Sequence, residues 1–475
     1  MSRGAIVFTV AAVLVFSGAI ILFGCSGGSS KSAMPATVNV TVSDPATCSG
    51  PQGPYSHIYV TITDVQINAS ASAGDKDPGW VDLTPNLSAS PQQVDLLGQA
   101  SNQCFLATLG ATTALQPGSY QQIRIMLAIG SVTLTNNPCG TAANCLTLSS
   151  DSTNTPQPLQ LSSEAQTGLK IPSGQIAGGQ FVVAAGQTND LNIDFNACES
   201  IVAQGNGQFR LKPVMHAGEV NLKSSSINGK VVDSVSGAGI IGGNTVVGLE
   251  QKDSTGVDRV IMETVTHSSG AFSFCPVAAG TYDVVVVAVN GAQVSYGATV
   301  ITGVQPGNAL GNVPVMAQTG PGAAASITGM ITTSTGSAGT PADITLSALQ
   351  PISVSGSTVL VTIPLAGQST GAANLVTVSG ASCPAKTDCA SYTLVVPAAN
   401  PAVGAFSTSG AQTPAAPPAG AAAYTVDAIA YVQGGSTLDC MPSELQTSST
   451  ASNAPLTAAA GAGVTAATLA FSGCQ

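Results

Sequence analysis

Apolar and polar residues alternate in short runs along most of this chain. Val38, Val40 and Val42 fall on one face of an extended segment, and Ile58, Val60 and Ile62 on one face of another, because successive strand side chains point to opposite faces. Leu191, Ile193 and Phe195 alternate with Asp190, Asn192 and Asp194, which predicts a strand with a buried apolar face and a solvated polar one. Further runs at 120–129, 209–214, 276–289, 358–363, 392–396 and 424–432 are bounded by Gly, Pro, Asn, Asp and Ser. The pattern predicts an all-β chain.

One run is different. Residues 5–23 are apolar without alternation, follow Arg3, and end in Leu22, Phe23, Gly24 and Cys25. About 18 to 20 apolar residues suffice to span a bilayer as a helix, and the basic residue lies on the side that stays cytoplasmic. A retained anchor and a cleaved signal therefore compete. The ending resembles the bacterial lipobox, in which cleavage precedes a cysteine that takes lipid; Phe23 stands where a small residue is usual. The resemblance implies cleavage at Leu22-Phe23-Gly24, lipidation of Cys25 and a Gly/Ser-rich tether through residue 35. The fold class expected is thus tandem β-sandwich domains after an N-terminal lipoprotein signal peptide. The location expected is the bacterial cell envelope, with Ser26 favouring the outer membrane.

A length of 475 residues suggests about three domains. Only 7% of residues are charged and 4% aromatic, with 53 Gly and 28 Pro, while mean hydropathy is +0.34. Beyond residue 25 every apolar run is interrupted before it reaches spanning length. A net charge of −11 leaves no basic surface for phosphates, so nucleic acid is excluded as a partner.

Setting Cys25 aside, ten of the 11 cysteines remain for disulfides in an exported chain. Short loops favour Cys139 with Cys145 and Cys383 with Cys389, Cys440 with Cys474 would hold the C-terminus, and Cys48 with Cys104 is preferred among the rest. Spacing alone leaves the connectivity open. His57, His216 and His267 are scattered and no C-x-x-C occurs, so no metal or cofactor is expected.

Two stretches resemble known families. His57-Ile58-Tyr59-Val60-Thr61-Ile62, Val94-Asp95-Leu96-Leu97, Pro117-Gly118-Ser119-Tyr120, Gly168-Leu169-Lys170-Ile171-Pro172 and Asp194-Phe195 resemble the DUF4382 domain of bacterial and archaeal lipoproteins, which implies a β-sandwich over residues 36–220. Where that family often shows Asp-Phe-Asp, this chain has Asp194-Phe195-Asn196. Ile227-Asn228-Gly229-Lys230-Val231-Val232-Asp233, Gly270-Ala271-Phe272-Ser273-Phe274 and Ala279-Gly280-Thr281-Tyr282 resemble the carboxypeptidase regulatory-like domain, which implies a transthyretin-type, carbohydrate-binding-like sandwich over 226–318 without peptidase activity. Ser326-Ile327-Thr328-Gly329 echoes Ser226-Ile227-Asn228-Gly229 and opens an Ala/Ser/Thr-rich β domain over 326–475.

Motifs suggestive of chemistry are weak. Gly237-x-Gly239-x-x-Gly242 fits the dinucleotide fingerprint, which needs a helix after it, whereas 244–250 reads as a strand. Gly367-x-Ser369-x-Gly371 fits the nucleophile elbow, but no histidine follows His267. Asp75 and Asp77, or Asp190 and Asp194, would each offer a cation two carboxylates, fewer than the six to eight oxygens of calcium. Trp80 is either a sugar-stacking platform or ordinary half-buried packing. The sequence favours a non-catalytic envelope lipoprotein displaying β-sandwich modules for binding or scaffolding, held to the membrane by its lipid, with a glycan or an envelope protein as partner. A glycan-binding surface protein is the alternative, and a secreted hydrolase a more distant one.

Overall fold

The computed structural model describes residues 34–44, 55–98, 105–161, 168–197, 200–203, 207–211, 215–220, 226–240, 244–253, 255–267, 269–292, 294–318, 324–340, 342–365, 375–378, 383–432, 440, 444–447 and 455–474. Leu22, Phe23, Gly24, Cys25, Cys48, Cys104 and the Gly367–Gly371 motif lie outside the described residues. Among these residues the chain is all-β, with two single-turn 3-10 segments, Ser173–Gln175 and Ala177–Gly179. No helix among them is long and apolar enough to cross a membrane. Residues 34–475 form one compact unit.

The first module is two stacked sheets with a two-stranded ribbon, Gly118–Tyr120 paired with Phe181–Val183. One has the order Met215–Glu219, Thr188–Phe195, Ala36–Ser43, Ala107–Leu115, with the central pair parallel. The other is built on the long strand Tyr55–Asn68, flanked by Gln122–Leu127 and Cys145–Leu148. Val38, Val40, Val42, Ile58, Val60, Ile62, Leu191, Ile193 and Phe195 fill the space between them. Each such side chain removed from water is worth about 1.5–3 kcal/mol.

The polar side of the parallel pair departs from expectation. Thr41, Ser43, Asn192 and Asp194 are all at least nine-tenths buried instead of solvated. They satisfy one another across the pair: Ser43 Oγ donates to Asp194 Oδ1 at 2.8 Å, Asn192 Nδ2 donates to Ser43 Oγ at 2.8 Å, and Thr41 Oγ1 donates to Asn192 Oδ1 at 3.1 Å. The 3-10 turns lie beside this face, Ile176 bridging to Ala217, and the strand Val257–Val265 approaches the Met215–Glu219 edge.

The remaining residues form three layers. A three-stranded sheet (Ala271–Phe274, Ile227–Asp233, Ala309–Val315) and a four-stranded sheet centred on Ala324–Thr333 flank an eleven-stranded one. The second and third sandwiches share that middle sheet, because Val257–Val265 pairs in parallel with Ser357–Ile363. The Val-rich run is explained by this. On Tyr282–Val289, Val284, Val286 and Ala288 enter one core while Val285 and Val287 enter the other, so both faces must be apolar.

Strand order on either side of the junction is the same. Thr299–Val304, Tyr282–Val289, Asn244–Lys252 and Val257–Val265 are answered by Glu444–Thr447, Ala422–Val432, Ala342–Val354 and Ser357–Ile363. The echoed segments are the central strands of the outer sheets, and in each the glycine faces an aromatic ring across the ladder, Gly229 with Phe272 and Gly329 with Tyr392. The third module is therefore a structural repeat of the second. Disulfides close Cys139–Cys145, Cys383–Cys389 and Cys440–Cys474, and Cys275 is disulfide-bonded as well.

Candidate functional site

A cleft of about 530 Å³ opens between the first and second modules. Its floor is the polar face described above, where Asn192 and Asp194 from one strand meet His216 from the next, register placing Asp194 opposite His216. Its far wall combines Gln251, Lys252 and Asp253 with Ile261, Met262 and Tyr282 of the second module, and the Ala177–Gly179 turn closes one side. Tyr282 is buried and donates its hydroxyl to Ala278 O at 2.7 Å.

Asp194 Oδ1 accepts from Ser43, while Oδ2 is buried with no hydrogen-bond partner. Burial holds the Asp194 carboxyl well above its usual range, partly offset by the Ser43 bond. Neighbouring Asp44 is raised by its own burial and then by the Asp194 charge. Burial pushes His216 down to about 4, and its Nδ1 has no partner. The floor thus combines a carboxyl whose ionisation burial opposes, an imidazole that burial keeps neutral, and a carboxamide. On the far wall, Asp253 is held by Arg259 at 3.1 Å, and Lys252 stands in register with Asp258.

The other candidates have structural employment. Asp75 pairs with Lys170 at 2.7 Å and Asp77 Oδ2 accepts from the Gly74 backbone at 2.8 Å. Asp190 accepts from Asn39 at 2.7 Å. Among the described residues no group of three or more His, Cys, Asp or Glu is placed to hold a metal. Trp80 donates from Nε1 to Gly74 O at 2.9 Å, and the Arg124 guanidinium covers its ring at 4.1 Å. That stacking face is occupied from within the protein. Gly237 takes a left-handed turn, Gly239 bridges to Val232, and the next described element is the strand Asn244–Lys252, an arrangement without the helix N-terminus that a pyrophosphate needs.

Two arrangements escaped the sequence reading. His57 Nδ1 lies 2.7 Å from Asp95 Oδ2, with the imidazole stacked on Tyr59 and Asp95 Oδ1 accepting from the Ile58 and Leu97 backbones. The buried Asn192–Asp194–His216 floor was hidden because alternating Asp and Asn residues read as a solvated face.

Residues 35–213 match the DUF4382 family, a domain of unknown function. The match includes Asn192 and Asp194 of the cleft floor and ends just before His216. No curated protein matches the chain. Among solved structures, the Bacillus anthracis TIE protein is 10% identical over 93% of this chain and 51% of its own, with a TM-score of 0.16. This chain spans about half the length of that protein. The shaft pilin SpaA of Lactobacillus rhamnosus GG is 9% identical over 60% of this chain and 97% of its own, TM-score 0.17. A DUF3823 family protein of Bacteroides uniformis is 13% identical over 47% and 96%, TM-score 0.16. Likenesses at this level transfer no function.

Proposed function

We propose that this protein is a non-catalytic envelope lipoprotein, tethered through lipid on Cys25, whose β-modules serve binding or scaffolding. The observation that supports it best is the continuous middle sheet, which joins the described strands of the second and third modules. Arg259 reinforces the joint by reaching Asp253, Asp427 and Glu444 together. Joined β-modules behind a Gly/Ser tether suit display away from a membrane. The resemblance of 226–318 to carboxypeptidase regulatory-like domains, which are appended modules, fits the same reading. Metabolic labelling with a fatty acid tests the anchor: wild type takes up label and Cys25→Ser does not, whereas equal labelling refutes it.

The narrower reading, a glycan-binding surface protein, is favoured by the inter-module cleft and not by Trp80. The cleft joins a polar floor to a wall of mixed polar and apolar side chains, while the Trp80 ring is covered by Arg124.

A further inference from the structure

We infer that the cleft between the DUF4382 region and the second module binds an uncharged polyhydroxyl ligand of the saccharide class, seated with its polar edge on Asn192, Asp194 and His216 and its C–H face on Ile261, Met262 and Tyr282. The volume, about 530 Å³, lies within the roughly 300–1,000 Å³ usual for small-molecule sites. Two polar atoms of the floor, Asp194 Oδ2 and His216 Nδ1, are buried and unpartnered. Leaving such groups unpaired costs about 1–3 kcal/mol each, a cost that a ligand bringing hydroxyls recovers. Asp194 is itself only 4% exposed, so its free oxygen is a fixed feature of the cleft and not a surface side chain in passing.

Charge decides the ligand class. Among the lining side chains Lys252 and Asp253 carry opposite charges, so the wall favours neither an anion nor a cation. A cation on the floor would further require Asp194 to ionise where burial opposes it. A neutral ligand has no such requirement. The opposite wall narrows the choice further, because beside Gln251, Lys252 and Asp253 it carries the half-buried Ile261, backed by Met262 and Tyr282, on which a C–H face can rest. A pyranose has one polar edge and one C–H face and meets both sides at once.

This assignment rests on the reading of the chain as a binding protein, and the two fail separately. The full chain, purified in detergent, is titrated calorimetrically with glucose, galactose, N-acetylglucosamine, maltose and trehalose, and with putrescine as a cationic control. At least one neutral sugar binds with one-to-one stoichiometry. Ile261→Trp, which fills the cleft from the wall without touching the floor, weakens it about tenfold or more. Asp194→Ala, which removes the unpartnered floor oxygen, weakens it as well. The inference is overturned if no neutral sugar binds, if binding is unchanged in a folded Ile261→Trp protein, or if putrescine binds instead and is lost in Asp194→Asn. A sugar that binds in the cleft and is then cleaved leaves the assignment standing and refutes the non-catalytic reading.

Discussion

Arg259 and Asp427 join two structural repeats across 168 residues of sequence, with Arg259 Nη1 donating to Asp427 Oδ2 at 2.5 Å. The Asp427 side chain is 1% exposed and has the guanidinium as its counter-charge, so its burial depends on Arg259. Removing one partner of a buried pair costs about 3–5 kcal/mol. Arg259→Ala therefore lowers the thermal unfolding midpoint measured by circular dichroism. Arg259→Lys recovers little of it, because an ammonium cannot fork to three carboxylates. An unchanged midpoint in Arg259→Ala would show that the joint is held by packing alone.

Acidification through neutral pH stabilises the protein. Burial, with the Asp283 charge next, lifts Asp258 to about 7, and burial followed by Asp258 raises Glu250 well above its usual range. For carboxyls raised on folding, the native state holds protons that the unfolded chain has released, so stability grows as pH falls through the folded value. His216 has the opposite sign, since burial lowers it to about 4 from 6.5, but it opposes only below 6.5. The unfolding midpoint is accordingly higher near pH 6.5 than near about pH 8, and Asp258→Asn reduces that gain. A midpoint that rises with pH over this window contradicts the account.

The strands were legible because period-two alternation and turn residues are local signals; Val38, Val40 and Val42 enter the core as their spacing requires. Cysteines six residues apart are similarly local, and Cys139–Cys145 and Cys383–Cys389 are bonded. What was not legible depends on distant partners. Asp194 is buried because Ser43, 151 residues earlier, supplies its hydrogen bond. The run Val284 to Val287 read plainly as a strand, yet nothing local says that its two faces serve different cores.

The glycine–aromatic pairs of the repeats predict a graded defect. A Cβ on Gly229 would stand 2.8 Å from the Phe272 ring, and one on Gly329 would collide more closely with Tyr392. Overpacking of this kind costs about 1–3 kcal/mol. Gly329→Ala is expected to lower the unfolding midpoint more than Gly229→Ala, as differential scanning calorimetry would register. The reverse order would mean that the Tyr392 ring yields more readily than the Phe272 ring.

The Cys440–Cys474 bond closes a loop of sequence separation 34, against 6 for the other two described pairs. Loop-closure entropy makes it worth about 3–4 kcal/mol and each short loop about 2. The double variant Cys440→Ala/Cys474→Ala should thus lose more stability, by thermal unfolding without reductant, than Cys139→Ala/Cys145→Ala. Equal losses would assign the stabilisation to local packing instead of to the closed loop.

The central claim concerns the stretch Leu22-Phe23-Gly24-Cys25, and intact-mass analysis of the N-terminal peptide from membrane-extracted protein addresses it most directly. The peptide is predicted to begin at Cys25 and to carry acyl chains. A peptide beginning at Met1, or one beginning near residue 25 without lipid, would contradict the anchor.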